Sequence, residues 1–298
     1  MQLVNRARRR HSSSVGCIPA LGKDRKNMFG KWSILSLVSC ALGGAMMAEC
    51  PAPISTPDIE VFPSANRLPE NIIRFYLYFP RPMRQDIRSS DIRLLDSKGQ
   101  EVTQAFLPMR YALWSSDRRR LTIILDPGRV KTGLASYETF GRALTVGDRF
   151  DLQVLGAMKD SNGCNLGGDV SFGFSVHAAE RQPPAPEAWS IEAPTIGSRT
   201  ALKVDLGRPH DHLSMAYRIR VATEDGQLVP GRVGLAESER IWTFTPRAPW
   251  TAAPHKITID ERLEDLAGNR PGVVFDRATD VPVKEWAREI TFVPRPGN

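Results

Sequence analysis

His210-Asp211-His212 is the densest run of metal-competent side chains in the sequence, and His255 is the other histidine of that half. Alternate histidines on one strand face could bind a transition metal, with Asp211 orienting a ring from behind. No spacing supplies a third ligand, and Pro209 sets the run at a strand end, where polar turn residues belong. His210 and His212 are weak metal candidates on this pattern, and a structural turn is expected. Asp160-Ser161-Asn162-Gly163-Cys164-Asn165 has the composition of a calcium loop. Its fifth position is Cys164 and its twelfth Ser171, where an EF-hand needs an oxygen ligand and a glutamate. An Asp/Asn/Gly turn explains it without an ion. Glu237/Glu239 and Glu264/Asp265 are paired acids with no sequence feature that would raise a pKa. The sequence holds no GxSxG, HExxH, P-loop or dinucleotide fingerprint. No catalytic residue and no cofactor are assigned, and a protein that is not an enzyme is expected.

Binding signals are equally diffuse. Asp117-Arg118-Arg119-Arg120 could grip phosphate, but it lies between Trp114 and the apolar Leu121–Leu125, where a hairpin end is expected. The 298 residues carry a formal charge of +7. Eight of the 40 bases and two of the 33 acids fall in residues 1–50, leaving 32 bases against 31 acids. A body so balanced argues against nucleic acid as a partner. Trp189, Trp242, Trp250 and Trp286 gather in the second half, where exposed rings would signal sugar binding. Trp242 alternates with Thr243 and reads as core. Trp250, between Pro249 and Pro254, reads as loop or surface.

These side chains need a scaffold, and the chain before it looks like a targeting segment. Met28-Phe29-Gly30-Lys31 is a short cationic start, and Trp32–Met47 is almost free of charge. The run falls slightly short of the ~20 residues that span a bilayer comfortably, which favours a signal peptide over an anchor. Residues 1–27 form a polar preface without a targeting pattern, so Met28 is the expected start. Leu37-Val38-Ser39-Cys40 resembles a lipobox, which makes Cys40 a lipidation candidate, although residues 41–48 stay apolar. Cys50 follows Glu49 and fits acylation less well. Cys50 and Cys164 could bridge in an exported chain, but two cysteines do not make a disulfide framework, and unpaired thiols are expected.

The body reads as all-β. Apolar residues alternate with polar ones over Ile73–Phe79, Phe150–Val154, Val170–Val176, Leu202–Leu206, Tyr217–Val221 and Trp242–Phe244. Gly, Pro, Asp and Asn separate these short runs, the pattern of a sandwich. No amphipathic helix longer than about two turns stands out. The body also repeats itself. Ile92–Val102 parallels Ile219–Val229, each a strand, a turn closed by Gly-Gln and a second strand. Phe150–Gly163 parallels Lys256–Gly268, each a strand entering Asp-x-x-Gly. Arg81-Pro82-Met83 parallels Arg208-Pro209-His210.

Phe79-Pro80-Arg81-Pro82-Met83, the Asp96–Gly99 turn, Asp160-Ser161-Asn162-Gly163 and Leu263-Glu264-Asp265-Leu266-Ala267-Gly268-Asn269 resemble the bacterial Ig-like domain of S-layer and cell-surface proteins, the SbsA type. The resemblance covers 58–178 and, more loosely, 187–294. The first copy departs from it by a longer Asp126–Val146 connection, the second by His210 in place of methionine. It implies two tandem Ig-like β-sandwiches. The expected organisation is a preface (1–27), signal peptide or anchor (28–50), Pro-rich spacer (51–57), first domain (58–178), Pro-rich linker (179–186) and second domain (187–298). The expected role is that of an exported cell-envelope or surface protein, an adhesion or scaffold element. Its partner would be an envelope polymer, glycan or protein, and it would meet the membrane only through its N-terminal segment. The alternative is an exported carbohydrate-active or other hydrolytic enzyme with Ig-like accessory domains.

Overall fold

Alternation of apolar and polar residues puts one face of each strand on a core, and two sheets must close over that core. The computed structural model describes residues 50–53, 58–109, 113–131, 135–276 and 285–297. Residues 28–49 of the expected signal segment, Cys40 among them, lie outside these, as does most of the spacer. In the first sandwich, one sheet holds β1 (Glu60–Phe62), β3 (Arg74–Tyr78), β6 (Arg120–Ile124) and β5 (Leu113–Trp114), paired in that order. The facing sheet holds β2 (Arg67–Pro69), β8 (Val170–His177), β7 (Arg149–Val154) and β4 (Ile92–Asp96), also in pairing order. In the second, β12 (Gly231–Ala236), β13 (Ile241–Pro246), β10 (Leu202–Asp205) and β9 (Ser190–Glu192) face β11 (Ile219–Thr223), β14 (His255–Ile259) and β15 (Glu289–Phe292).

Lettered A to G in chain order, the second sandwich is D-E-B-A over C-F-G, the constant-type immunoglobulin topology. The first has the same plan, with β2 added parallel to its last strand, β8. The fold is all-β, as the alternation predicts, and Ig-like, as the resemblance implies.

Each sandwich has its own core. Phe75, Leu77, Leu94, Leu121, Leu152 and Phe174 belong to the first. Leu202, Val204, Val221, Trp242, Phe244 and Ile257 belong to the second. The long connection of the first copy forms two short helices, α1 (Pro127–Val130) and α2 (Ala135–Phe140). Asp126 caps the first by accepting from the Gly128 amide at 2.8 Å. Buried Arg129 then donates to the carbonyls of Gly141 and Arg142, fastening the connection to itself.

Three expectations need correction. Cys50 and Cys164 are bridged by a disulfide, with 5.6 Å between their Cα atoms. Their separation of 114 residues left no spacing pattern to announce it. The strand expected from Tyr217 begins at Ile219, because Tyr217 and Arg218 end a helix, α3 (His212–Arg218). Trp250 is core, 3% exposed, and its indole nitrogen donates to the Thr200 carbonyl at 2.8 Å. Among the described residues, no helix is long and apolar enough to cross a membrane.

Candidate functional site

The two sandwiches belong to one compact unit, and the seam between them holds buried Tyr76, Asp211 and Glu239. Strand β3 explains why. Its Phe75 and Leu77 enter the first core, while Arg74, Tyr76 and Tyr78 point the other way. That second face is covered as well, and Tyr76 is only 2% exposed. Its hydroxyl donates to Asp211 at 2.8 Å. Asp211 also caps α3, accepting from the Ser214 amide at 2.8 Å. Burial raises the pKa of Asp211, while Arg74, 3.7 Å away, pulls the other way. Arg74 in turn pairs with Glu264. Burial opposes the charge of Arg74, yet Asp211 and Glu264 outweigh it and hold its pKa above the ordinary value.

Two further contacts cross the seam. Buried Glu239 accepts from the Ser64 amide at 2.8 Å and from its hydroxyl at 2.9 Å. It does so from a hairpin turn in which Glu237, Ser238 and Glu239 all have positive φ (50°, 55° and 61°). A run of non-glycine residues in that region is costly, and tertiary contacts such as this one must hold it. Leu266 reaches across to join the first core, and its carbonyl accepts from the Ile73 amide at 3.1 Å.

The same turn occurs in both sandwiches. Asp160 accepts from the amides of Asn162 (2.9 Å) and Cys164 (3.0 Å), and its other oxygen lies 2.8 Å from Arg81 Nε. Asp265 accepts from the amides of Ala267 and Asn269, both at 2.9 Å, and its other oxygen lies 3.1 Å from Arg208. Gly163 and Gly268 take φ of +85° and +75°, the left-handed conformation that glycine adopts without a Cβ penalty. The Arg-Pro and Asp-x-x-Gly repeats thus pair with each other inside each sandwich. Both carboxylates are engaged by amides and a guanidinium, as a turn requires.

The histidines do not converge. His210 is 1% exposed, lies edge-on to Trp189 and bonds the Arg208 carbonyl through Nδ1 at 2.9 Å. Burial lowers its pKa to about 4, so it is neutral at physiological pH. His212 stacks on Phe62 of the first sandwich, with centroids 3.7 Å apart. His255 packs between Trp250 and Phe292 in the second core. The alternate-strand arrangement imagined for His210 and His212 fails because Asp211 starts a helix between them. Among the described residues, no group of three His, Cys, Asp or Glu side chains is arranged to hold a metal. The Asp117–Arg120 run forms the β5–β6 hairpin end, as expected.

One concavity, absent from the sequence expectations, opens on the seam. It measures about 440 Å³ and is lined by Arg74, Arg218, Arg220, Arg262 and Arg270, with Asp211 and Glu264 as its carboxylates. The Tyr217 ring, 57% exposed, stands on its wall. Asp260 lies 3.2 Å from Arg218 and 2.8 Å from Arg262, and the charge-assisted bond from Arg262 holds its carboxyl well below the usual range. Glu264 pairs with both Arg74 and Arg270. Among the described residues, Arg220, exposed on β11, makes only a long 3.5 Å contact with the Ala216 carbonyl. Only Arg218 and Arg220 are neighbours in sequence, and the other three arginines come from elsewhere in the chain, so no basic run marked the site.

No protein-family model matches the chain, and no curated protein matches it. Among solved structures it is similar to the MG0-NIE-MG1 domains of native alpha-2-macroglobulin from Escherichia coli, at 10% identity and a TM-score of 0.24. That likeness covers 76% of this chain and 67% of the other. It is also similar to the N-terminal Ig1-2 module of the Drosophila receptor protein tyrosine phosphatase DLAR, at 11% identity and a TM-score of 0.22. There, 69% of this chain and 92% of the other are covered. At these TM-scores the likenesses add no argument to the strand topology.

Proposed function

We propose that this chain is an exported cell-envelope or surface protein with a binding or scaffold role, built from two SbsA-type Ig-like sandwiches. The observation that carries the reading is the Cys50–Cys164 bridge. Disulfides persist in oxidising compartments and are rare where glutathione and thioredoxin keep thiols reduced. Cys50 is the last residue of the segment that reads as a signal and lies beyond its apolar run, so with cleavage before it the bridge would pin the mature N-terminus to the Asp160 turn. A bridged Cys50 has no thiol left to acylate, which leaves Cys40 as the lipidation candidate.

The seam supports the rest of the reading. Buried bonds between the sandwiches favour a fixed arrangement suited to spacing or presenting a surface, in contrast to modules on a loose linker. The carboxylates at the seam are capped by amides, a phenol or guanidiniums, which suits structural work.

The test follows the thiols through the cell. Residues 28–48 should direct export, so a chain begun at Met28 should still be secreted or found with the membrane fraction. In that fraction Cys50 and Cys164 should resist a maleimide until reduced. Free thiols at Cys50 and Cys164 in the exported protein, or loss of export on removing only residues 1–27, would refute the reading. For Cys40→Ser, an altered mobility or fractionation supports lipidation, and an unchanged one removes it.

A further inference from the structure

The arginine groove on the seam is more than a solvated edge. Its lining sets five guanidiniums against two carboxylates, in a body whose overall charge is balanced to within one. With Asp260 pairing Arg218 and Arg262 from beside it, the groove still holds five guanidiniums against three carboxylates. Asp211, one of the two lining carboxylates, is 3% exposed and faces the Tyr76 hydroxyl and the Ser214 amide. Its volume of about 440 Å³ lies within the ~300–1,000 Å³ usual for small-molecule sites. Arg262 keeps 59% of its side chain exposed and Arg218 keeps 33%. Arg220 has no carboxylate partner among the described residues, which leaves its fork of donors open to a ligand. Guanidiniums recognise planar carboxylates and phosphates through paired N–H donors. Beside them the Tyr217 ring offers an apolar face with a polar tip, the kind of surface that packs against a sugar ring.

We propose that this groove binds a sugar bearing an anion, a uronate carboxylate or a sugar phosphate. Arg220, Arg218 and Arg262 hold the charged group, and Tyr217 carries the ring. This names the ligand class for the binding role proposed above and rests on that reading. Export and ligand binding are measured separately, so either can fail alone.

Isothermal titration of the purified, oxidised protein tests it with four probes: trigalacturonate, glucose 6-phosphate, neutral maltotriose and inorganic phosphate. At least one anionic sugar should bind, more weakly as salt rises, and which one binds identifies the anion. Arg220→Ala should weaken that binding about tenfold, the scale of a hydrogen bond to a charged group. Tyr217→Ala should weaken the sugar probe while leaving any binding of inorganic phosphate as it was. Arg220 and Tyr217 are exposed, so both variants should melt with the parent protein. The proposal is overturned if neither anionic sugar binds, or if maltotriose or inorganic phosphate binds as tightly as they do. It is equally overturned if Arg220→Ala, Arg262→Ala and their combination all titrate like the parent.

Discussion

Asp160 and Asp265 close the same turn in the two sandwiches, yet what hangs from the turns differs. The residue four positions after each aspartate donates its amide to the carboxylate. In the first sandwich that residue is Cys164, and its side chain is bonded to Cys50. In the second it is Asn269, whose side-chain nitrogen reaches the Glu180 carbonyl at 3.1 Å and whose oxygen accepts from the Phe275 amide at 2.9 Å. The residue after each aspartate differs as sharply. Ser161 is exposed, whereas Leu266 is buried in the core of the other sandwich. One local device has thus been put to two uses: the first copy fastens the incoming chain, and the second fastens its neighbour. The Asp, the Gly and the Arg supply the turn, and the residues between them decide what it holds.

If that contrast is right, removing the carboxylates should have unequal effects. Asp265→Ala leaves two amides and Arg208 without their acceptor and withdraws the support of Leu266. We expect a loss of about 3–5 kcal/mol, the range for breaking a buried charge pair. Asp160→Ala should cost less, about 2–3 kcal/mol, because the disulfide still holds the turn closed. Urea unfolding of the oxidised protein measures both. Equal losses would mean that the seam adds nothing to the second turn.

The tether can be cut by itself. Replacing Cys50 and Cys164 together by alanine should lower stability by about 2–4 kcal/mol, the usual worth of a disulfide. The seam should survive, so the Trp242 and Trp250 fluorescence of the second core should keep its native spectrum below the transition. A changed spectrum would show that the tether also organises the second sandwich.

The glycines give a finer version of the comparison. A Cβ on Gly163 would meet nothing within 4 Å, whereas one on Gly268 would lie 2.8 Å from Ile73 Cδ1 across the seam. Both pay for positive φ, about 1 kcal/mol with alanine. Gly268→Ala should therefore cost about 2–3 kcal/mol and Gly163→Ala about 1 kcal/mol, because only the first also overpacks. Adding Ile73→Val should relieve part of the Gly268→Ala loss and leave Gly163→Ala unchanged. Independent effects in both cases would place the strain within the turn.

Much of this is legible in the sequence. Strands β7, β8, β10 and β13 announce themselves by alternation, and the Arg-Pro and Asp-x-x-Gly repeats foretell turns that prove to pair. Tyr76 was legible only in part. It alternates with core residues and so reads as outward, and only the aromatic neighbour Tyr78 hints that this face is covered too. Helix α3 is too short for a periodic signal, and its cap, Asp211 to the Ser214 amide, looks in sequence like any polar turn. The disulfide and the arginine groove join residues from distant stretches of chain. Their proximity is a product of the fold, and no local pattern carries it.

The subtlest test, a shift in pH dependence, concerns a position where the second turn departs from the first. Met83 and His210 occupy matching places, each bridging its aspartate, Asp160 or Asp265, and each buried. Burial lowers the pKa of His210 to about 4 against 6.5 for the free side chain. The folded state therefore binds fewer protons than the unfolded state between these values. Its stabilising contribution is present above pH 6.5 and is lost as pH falls towards 4. At pH 5 the loss is about 2 kcal/mol, taking 1.36 kcal/mol per pKa unit. Asp265 has the opposite sign. Burial pushes it up to about 6 from 3.8, so acidification through that window returns part of the loss. In His210→Met the aspartate's contribution remains and the histidine's is gone. Between pH 7.5 and pH 5 the variant should therefore gain about 2 kcal/mol relative to the parent chain, measured by thermal unfolding at each pH. At pH 7.5 it should lose slightly, because the bond from the imidazole to the Arg208 carbonyl is absent. An unchanged difference across the two pH values would show that burial does not hold the His210 imidazole neutral in the folded chain.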